Sequence, residues 1–350
     1  MPDHAVADRS TTAIDIASLA GPASPARDRL DRAIGAALET DGRFLAIGFP
    51  GMAGLDARIG RLFAFFDQPE PLRAQLATET YRPGSGRLYR GYSQNLGEGD
   101  WAHNEMLDFG PEPSVTGPKL PGMSVLTEPN IYPQPEPVPG WNADMKHVYR
   151  TMMDAGQATF AALARYLGLD EAQIARFFAA SNSTLRFLKY HERPEGLSVR
   201  AGGIKPDGTQ SEPDDRLDLV AGQHTDATAI SLLWQGEPGL QTQTRDGRWQ
   251  DVPLIADCLS IHLGDIMHLF TDGRVEGTLH RVLDLGGPRR SAGFFFEPAL
   301  GAPLTSLMPG KGDLSAETYG GYLLRRIKGY KGYAPVMERR IAAEQVAAAE

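Results

Sequence analysis

His224 and Asp226 flank a single residue, Thr225, and His280, Arg289 and Ser291 follow downstream. Side chains of a β-strand alternate between its faces, so a His-x-Asp on extended chain points an imidazole and a carboxylate the same way, with Thr225 opposite. His280 is far enough along to return on another strand of the same sheet or barrel. Two imidazoles and one carboxylate then form a three-donor face, a set that suits ferrous iron with positions left open. Arg289 and Ser291 obey the same alternation. A guanidinium, whose planar fork pairs with a carboxylate, and a hydroxyl two positions on would share one strand face and clamp an anion, while Arg290 points the other way.

Such a site needs strands to carry it, and strand signals run from about residue 183 to 297, while helix signals dominate before residue 182. Strands are expected at Phe44–Phe49, Thr184–His191, through His224, and at Ile230–Trp234, Leu240–Thr244, Trp249–Val252, Leu259–Leu263, Gly277–Asp284 and Arg290–Phe296, punctuated by turns such as Asp246-Gly247 and Asp272-Gly273. Helical spacing of apolar residues marks Pro25–Thr40, Leu55–Phe66, Trp141–Leu167 and Glu171–Ala180. Residues 69–139 are rich in Pro and Gly and read as loop with short elements. Many short strands with helices outside give an α+β fold with a mainly β core, a barrel or rolled sandwich. One domain is expected over residues 13–350, comprising a helical 13–182, a metal-bearing core at 183–300 and a helical carboxy-terminal segment at 301–350. Residues 1–12 read as disordered.

Composition removes several classes of function. Hydrophobic residues at 41% and charged residues at 23% are ordinary for a globular protein, and a net charge of −9 argues against nucleic acid or an anionic membrane as partner. Cys258 is the only cysteine, which excludes an internal disulfide, a thiolate zinc site and an iron–sulfur cluster held within one chain, and it reads as an inert buried thiol. No stretch approaches the roughly 20 apolar residues of a membrane span, and the amino terminus lacks a signal-peptide pattern, so a cytoplasmic location is expected.

The stretches HTDATAISLLWQGEPGLQTQTRDGRWQDVP, HLGDIMHLFTDGRVEGTLHRV and RRSAGFFFEP resemble the isopenicillin N synthase-like group of iron(II)- and 2-oxoglutarate-dependent oxygenases, densely from His224 to Pro298 and more weakly across most of the chain. The resemblance implies a double-stranded β-helix, the jelly roll of cupin-like proteins, flanked by helices. It implies His224, Asp226 and His280 as ligands of Fe(II), and Arg289 and Ser291 as the Arg-x-Ser pair on the distal carboxylate of 2-oxoglutarate, with Tyr190 as a further contact. Three protein ligands leave three positions on a six-coordinate iron, two for the chelating 2-oxo acid and one for O2. His262 and His268 fall outside the implied triad and read as structural or substrate-facing, and Asp265 as a turn residue or a support behind the ligands.

Leu188 stands where relatives often carry asparagine, which removes one polar contact near the cosubstrate. The segment between Tyr190 and His224 is longer than in many relatives. Residues 192–220 are expected to form a surface loop, with a lid as the functional alternative. For a small-molecule substrate the candidates are Arg90, Tyr92 and His103, with Arg82, Tyr89 and Asn104 nearby, and Phe294 and Phe296 from the barrel; exposed-loop or core roles would account for the same residues. The expected activity is oxidation, by default hydroxylation, of a C–H bond coupled to conversion of 2-oxoglutarate to succinate and CO2. The alternatives are an isopenicillin N synthase-type oxidase that uses Fe(II) and O2 without 2-oxoglutarate, and a jelly-roll binding protein without redox chemistry.

Overall fold

A computed structural model describes residues 13–96, 103–192, 219–309, 317–329 and 333–349. The amino-terminal stretch expected to be disordered and nearly all of the 192–220 loop lie outside the described residues.

Among the described residues twelve strands form two sheets: β1 Ile14–Asp15, β2 Arg43–Ile47, β3 Gly91–Asn95, β4 Asn104–Phe109, β5 Thr184–Tyr190, β6 Leu219–His224, β7 Ile230–Gln235, β8 Leu240–Gln243, β9 Trp249–Asp251, β10 Leu259–Leu263, β11 His280–Leu283 and β12 Arg289–Phe296. The larger sheet has the order β1-β2-β10-β7-β12-β5-β4-β3 and the smaller β6-β11-β8-β9. Of these strands only β1 and β2 pair in parallel. The sheets face one another: Leu45 and Leu233 of the larger pack with Ala221, Leu240 and Val282 of the smaller, and Arg43 Nε donates across to Thr242 Oγ1 at 2.7 Å. The architecture is the double-stranded β-helix expected from the sequence.

Nine α-helices lie among the described residues: α1 Pro25–Asp41, α2 Leu55–Leu62, α3 Glu70–Arg73, α4 Met123–Leu126, α5 Trp141–Leu167, α6 Glu171–Phe178, α7 Ile266–Phe270, α8 Tyr319–Lys328 and α9 Ala334–Ala349. α1 starts where Ser24 Oγ accepts from Arg27 N–H and Pro25 fills the first turn, where its missing donor has no consequence. The apolar stripe of α5, including Trp141, Met145, Val148, Met152 and Phe160, is buried, and the helix covers the outer face of the larger sheet. Gly156 permits the close approach, because a Cβ there would meet Leu232 Cδ1 and Phe296 Cδ2 at 3.3 Å.

The main departure from the sequence reading lies at residues 69–139. The segment contributes β3 and β4, a hairpin that extends the larger sheet beyond β5, and β1 and β2 also join this sheet from the helix-rich part. Neither β3 (GYSQN) nor β4 (NEMLDF) carries the β-branched alternation that announces a strand. Pairing with β5 supplies what intrinsic propensity does not.

Candidate active site

β6 and β11 are antiparallel neighbours in which His224 lies directly opposite His280, and Asp226 follows in the turn between β6 and β7. The ligand atoms of these three residues lie within 4.8 Å of one another. His224 Nε2 and His280 Nε2 stand 3.7 Å and 3.8 Å from Asp226 Oδ1.

Each imidazole is fixed by its other nitrogen. His224 Nδ1 meets the carbonyl oxygen of Gly222 at 2.7 Å, and His280 Nδ1 that of Thr278 at 3.0 Å. A carbonyl can only accept, so Nδ1 carries the proton in both rings and the Nε2 lone pair is left facing inward. Burial and the neighbouring His280 hold the His224 imidazole down to about 4, which keeps it neutral at physiological pH. Burial alone would raise the Asp226 carboxyl, but the imidazoles of His280 and His224 outweigh it and keep the group below its ordinary value. Asp226 Oδ2 is buried without a hydrogen-bond partner. Two inward nitrogens beside a carboxylate with spare acceptor capacity fit a divalent metal with N/O preference.

The second part of the site lies on β12. Strand alternation turns Arg289, Ser291, Gly293 and Phe295 to the inner face, toward the smaller sheet, and Arg290, Ala292, Phe294 and Phe296 to the outer face. Arg289 and Ser291 are both buried. Arg289 Nε donates to Pro238 O at 3.2 Å and Nη2 to Gln235 Oε1 at 3.3 Å, while the buried Nη1 has no hydrogen-bond partner. Desolvation lowers the guanidinium's proton affinity, yet it stays charged. Tyr190 is Arg289's register partner on β5, its ring lies 5.7 Å from the guanidinium carbon, and its hydroxyl is engaged by the side chains of Ser291 and Asn104.

A family model described as the 2OG-Fe(II) oxygenase superfamily matches residues 187–298, the segment that holds all of these groups except Asn104. Over these residues the chain is of the 2OG-Fe(II) oxygenase superfamily. It is 26% identical over 283 residues to the 2-oxoglutarate-dependent dioxygenase caaD of Aspergillus niger, covering 79% of each chain. It is 25% identical over 323 residues to isopenicillin N synthase of Streptomyces jumonjinensis, covering 89% of this chain and 92% of that one. A Neurospora crassa protein solved in complex with alpha-KG and 5-formyluracil superposes with a TM-score of 0.71 over 92% of this chain and 98% of that one, and at 19% identity this shares the fold alone. As a 2-oxoglutarate-dependent dioxygenase, the protein uses Fe(II) held by His224, Asp226 and His280, with 2-oxoglutarate as cosubstrate.

Several residues singled out for the substrate lie elsewhere. Arg90 is buried at the far end of β5 from Tyr190, its Nη1 bonded to Thr184 Oγ1 at 2.6 Å and its Nη2 to Asn182 O at 3.1 Å. Tyr89 is buried under that guanidinium, and Arg82 is exposed. Tyr92 points to the outer face, among Phe65, Phe66 and Tyr81, with its hydroxyl on Glu105. Phe294 packs edge-on against Tyr149 of α5 and Phe296 stacks on Phe178 of α6, so both belong to the helix-facing core. His103 adjoins the site edge, its carbonyl accepting from His191 N–H at 3.3 Å. His262 is fully buried with Nε2 on Ser260 Oγ at 2.8 Å, and His268 is exposed on α7.

Other residues occupy the inner face near Ser291. Asp108, Arg186 and Gly293 lie side by side in register on β4, β5 and β12. Arg186 pairs bidentately with the buried Asp108, Nε to Oδ1 and Nη2 to Oδ2 both at 2.8 Å, and its guanidinium carbon lies 5.7 Å from the Phe295 ring centroid. Its charge also favours the ionised form of Asp226. Strand alternation was the available signal, since Arg186 is four positions from Tyr190 and Phe295 four from Ser291. Leu188 lies opposite Ser291 and Met106, and Asn104 brings a carboxamide to Tyr190 on this same face.

Proposed function

We propose that this dioxygenase hydroxylates a C–H bond of a small planar molecule with hydrogen-bonding edges. Bound Fe(II), 2-oxoglutarate and O2 supply the oxidising power, with release of succinate and CO2. The protein's own residues supply position. His224, Asp226 and His280 hold the metal; Arg289 and Ser291 anchor the far carboxylate of the cosubstrate, and Tyr190 orients Ser291. The observation that carries the anchor is the buried Arg289 Nη1 without a partner, since a buried donor with no acceptor is costly unless a ligand completes it. The substrate lies beside the Phe295 ring, which offers a stacking face next to the paired Arg186 and Asp108, while Leu233 Cδ2 and the tip of the Phe295 ring close the space over Gly293. The complex of the Neurospora crassa protein with thymine supports testing pyrimidines and similar rings.

Anaerobic reconstitution with Fe(II) followed by 2-oxoglutarate tests the cofactor geometry through the weak visible charge-transfer band. A band that appears in the wild type and is lost in Arg289→Ala at the same 2-oxoglutarate concentration supports the anchor. A site that holds iron, gives no band and oxidises substrate without 2-oxoglutarate would instead be an oxidase of the isopenicillin N synthase type. A panel of planar heterocycles scored by stimulated succinate formation tests the substrate class, and stimulation confined to flexible aliphatic acids would overturn it.

A further inference from the structure

Thr225 to Thr228 lie between β6 and β7, outside both ladders, so their backbone carbonyls need partners from elsewhere. All four have one. Arg326 Nη2 donates to Thr225 O at 3.3 Å, Asp265 N–H to Asp226 O at 2.8 Å, Tyr319 Oη to Ala227 O at 2.9 Å, and Ile266 N–H to Thr228 O at 3.3 Å. Two of these donors are side chains of α8, on either side of the carbonyl of the metal-binding aspartate.

Tyr319 and Arg326 are two helical turns apart and share one face of α8, with Tyr322 between them. Tyr322 Oη donates to Asp265 Oδ2 at 3.3 Å, and Arg326 Nη2 lies 3.4 Å from the same oxygen. The backbone N–H of Asp265 holds the Asp226 carbonyl, so α8 grips the metal turn directly and again through Asp265. All four side chains are buried or nearly so. One oxygen of the Asp226 carboxylate has no hydrogen bond and the side-chain hydrogen bond to the group comes from Ser231, so its aim depends also on the backbone that carries it.

We infer that α8 is a brace for the metal-binding turn, and that Arg326 and Tyr319 are positioning residues that set the Asp226 carboxylate for the metal. The inference rests on the assignment of His224, Asp226 and His280 as ligands. Its reason is geometric: the two histidines are held by strand register, whereas Asp226 sits in a turn and inherits its orientation from partners contributed by a distant part of the chain.

The test is metal binding by the full-length protein, read without turnover. Mn(II) affinity is measured by electron paramagnetic resonance, and the ligand field by the visible spectrum of the Co(II) form. Arg326→Met is expected to weaken Mn(II) binding about 10- to 100-fold, the range seen when residues supporting a metal ligand are lost, and to alter the Co(II) bands. Tyr319→Phe keeps the ring and loses one hydrogen bond, for a loss of about 2- to 10-fold. Lys328→Met, an exposed position at the end of α8, is expected to match the wild type in both readouts. Wild-type affinity and spectrum in both Arg326→Met and Tyr319→Phe would overturn the brace. If Arg326→Met does not fold, Tyr319→Phe decides alone. Mn(II) binding by Asp226→Ala at wild-type affinity would remove the ligand assignment itself, and the brace with it, a result distinct from loss of the brace alone.

Discussion

Arg90 and Arg289 are both buried cations on the larger sheet, and they have opposite meanings. The guanidinium of Arg90 has protein partners on both terminal nitrogens, from Thr184, Asn182 and Phe109. It ties the β3–β4 hairpin to the start of β5. Arg289 is spanned on one edge by Pro238 and Gln235 and left with a buried nitrogen unmatched on the other. Burial of a charge therefore does not distinguish a structural tie from a binding group. Nor does an unmatched nitrogen alone, since Arg43 and Arg73 have one too; what sets Arg289 apart is that its unmatched nitrogen is on the inner-face side of β12 that also carries Ser291 and faces Tyr190.

The same contrast separates the two ends of the site. The metal and cosubstrate end consists of groups whose free valences point at one another across an inner face. The outer face of the amino-terminal hairpin, which also buries charge, is satisfied within the protein: Glu105 takes Tyr92, Arg73 and His191, the last at 2.7 Å.

The most severe test of this division is Asp226→Ala, which should abolish iron retention, measured by metal analysis after desalting, while the thermal transition of the metal-free protein stays within a few degrees of wild type. Iron kept at wild-type stoichiometry would move the metal elsewhere. Next in size is a pair of substitutions on adjacent residues of β12. Phe294→Ala should destabilise the fold by about 3–5 kcal/mol in chemical denaturation because it opens a cavity under α5. Phe295→Ala should cost far less stability and instead raise the KM for substrate; equal losses of stability would contradict the assignment of faces. The finest discrimination compares the two arginines. Arg289→Ala should raise the 2-oxoglutarate requirement about 10- to 150-fold through loss of charge-assisted hydrogen bonds worth about 1.5–3 kcal/mol, with iron still bound. Arg90→Met should leave that requirement unchanged and lower stability by about 3 kcal/mol. A shift in 2-oxoglutarate KM for Arg90→Met would place both cations in one site and erase the comparison.

Legibility in the sequence followed the range of the physics. His224, His280, Arg289 and Ser291 could be picked out by residue type and by the two-residue period of a strand, both local properties, whereas Asp226 was reached by residue type alone, because β6 ends at His224 and the aspartate lies in the turn beyond it. The helix Trp141–Leu167 was legible to the residue for the same reason, its stripe being continuous over several turns. β3 and β4 were not, since their strand character comes from pairing with β5. Arg90, Tyr92, Phe294 and Phe296 were plausible substrate contacts by type and were placed elsewhere by face. For the two phenylalanines the rule that turned Arg290 outward, carried four residues further, already pointed away from the site.

The amino-acid sequence by itself determined the donor set, the Arg-x-Ser spacing on β12 and the β-rich core that carries them. Only the tertiary structure decided which strand lies beside which, and with it that Arg186, Asp108 and Phe295 line the inner face and that α8 reaches back to the turn bearing Asp226. Ligand chemistry resides in single side chains and short spacings, whereas faces, neighbours and supports depend on sheet order and on contacts between residues far apart in the chain.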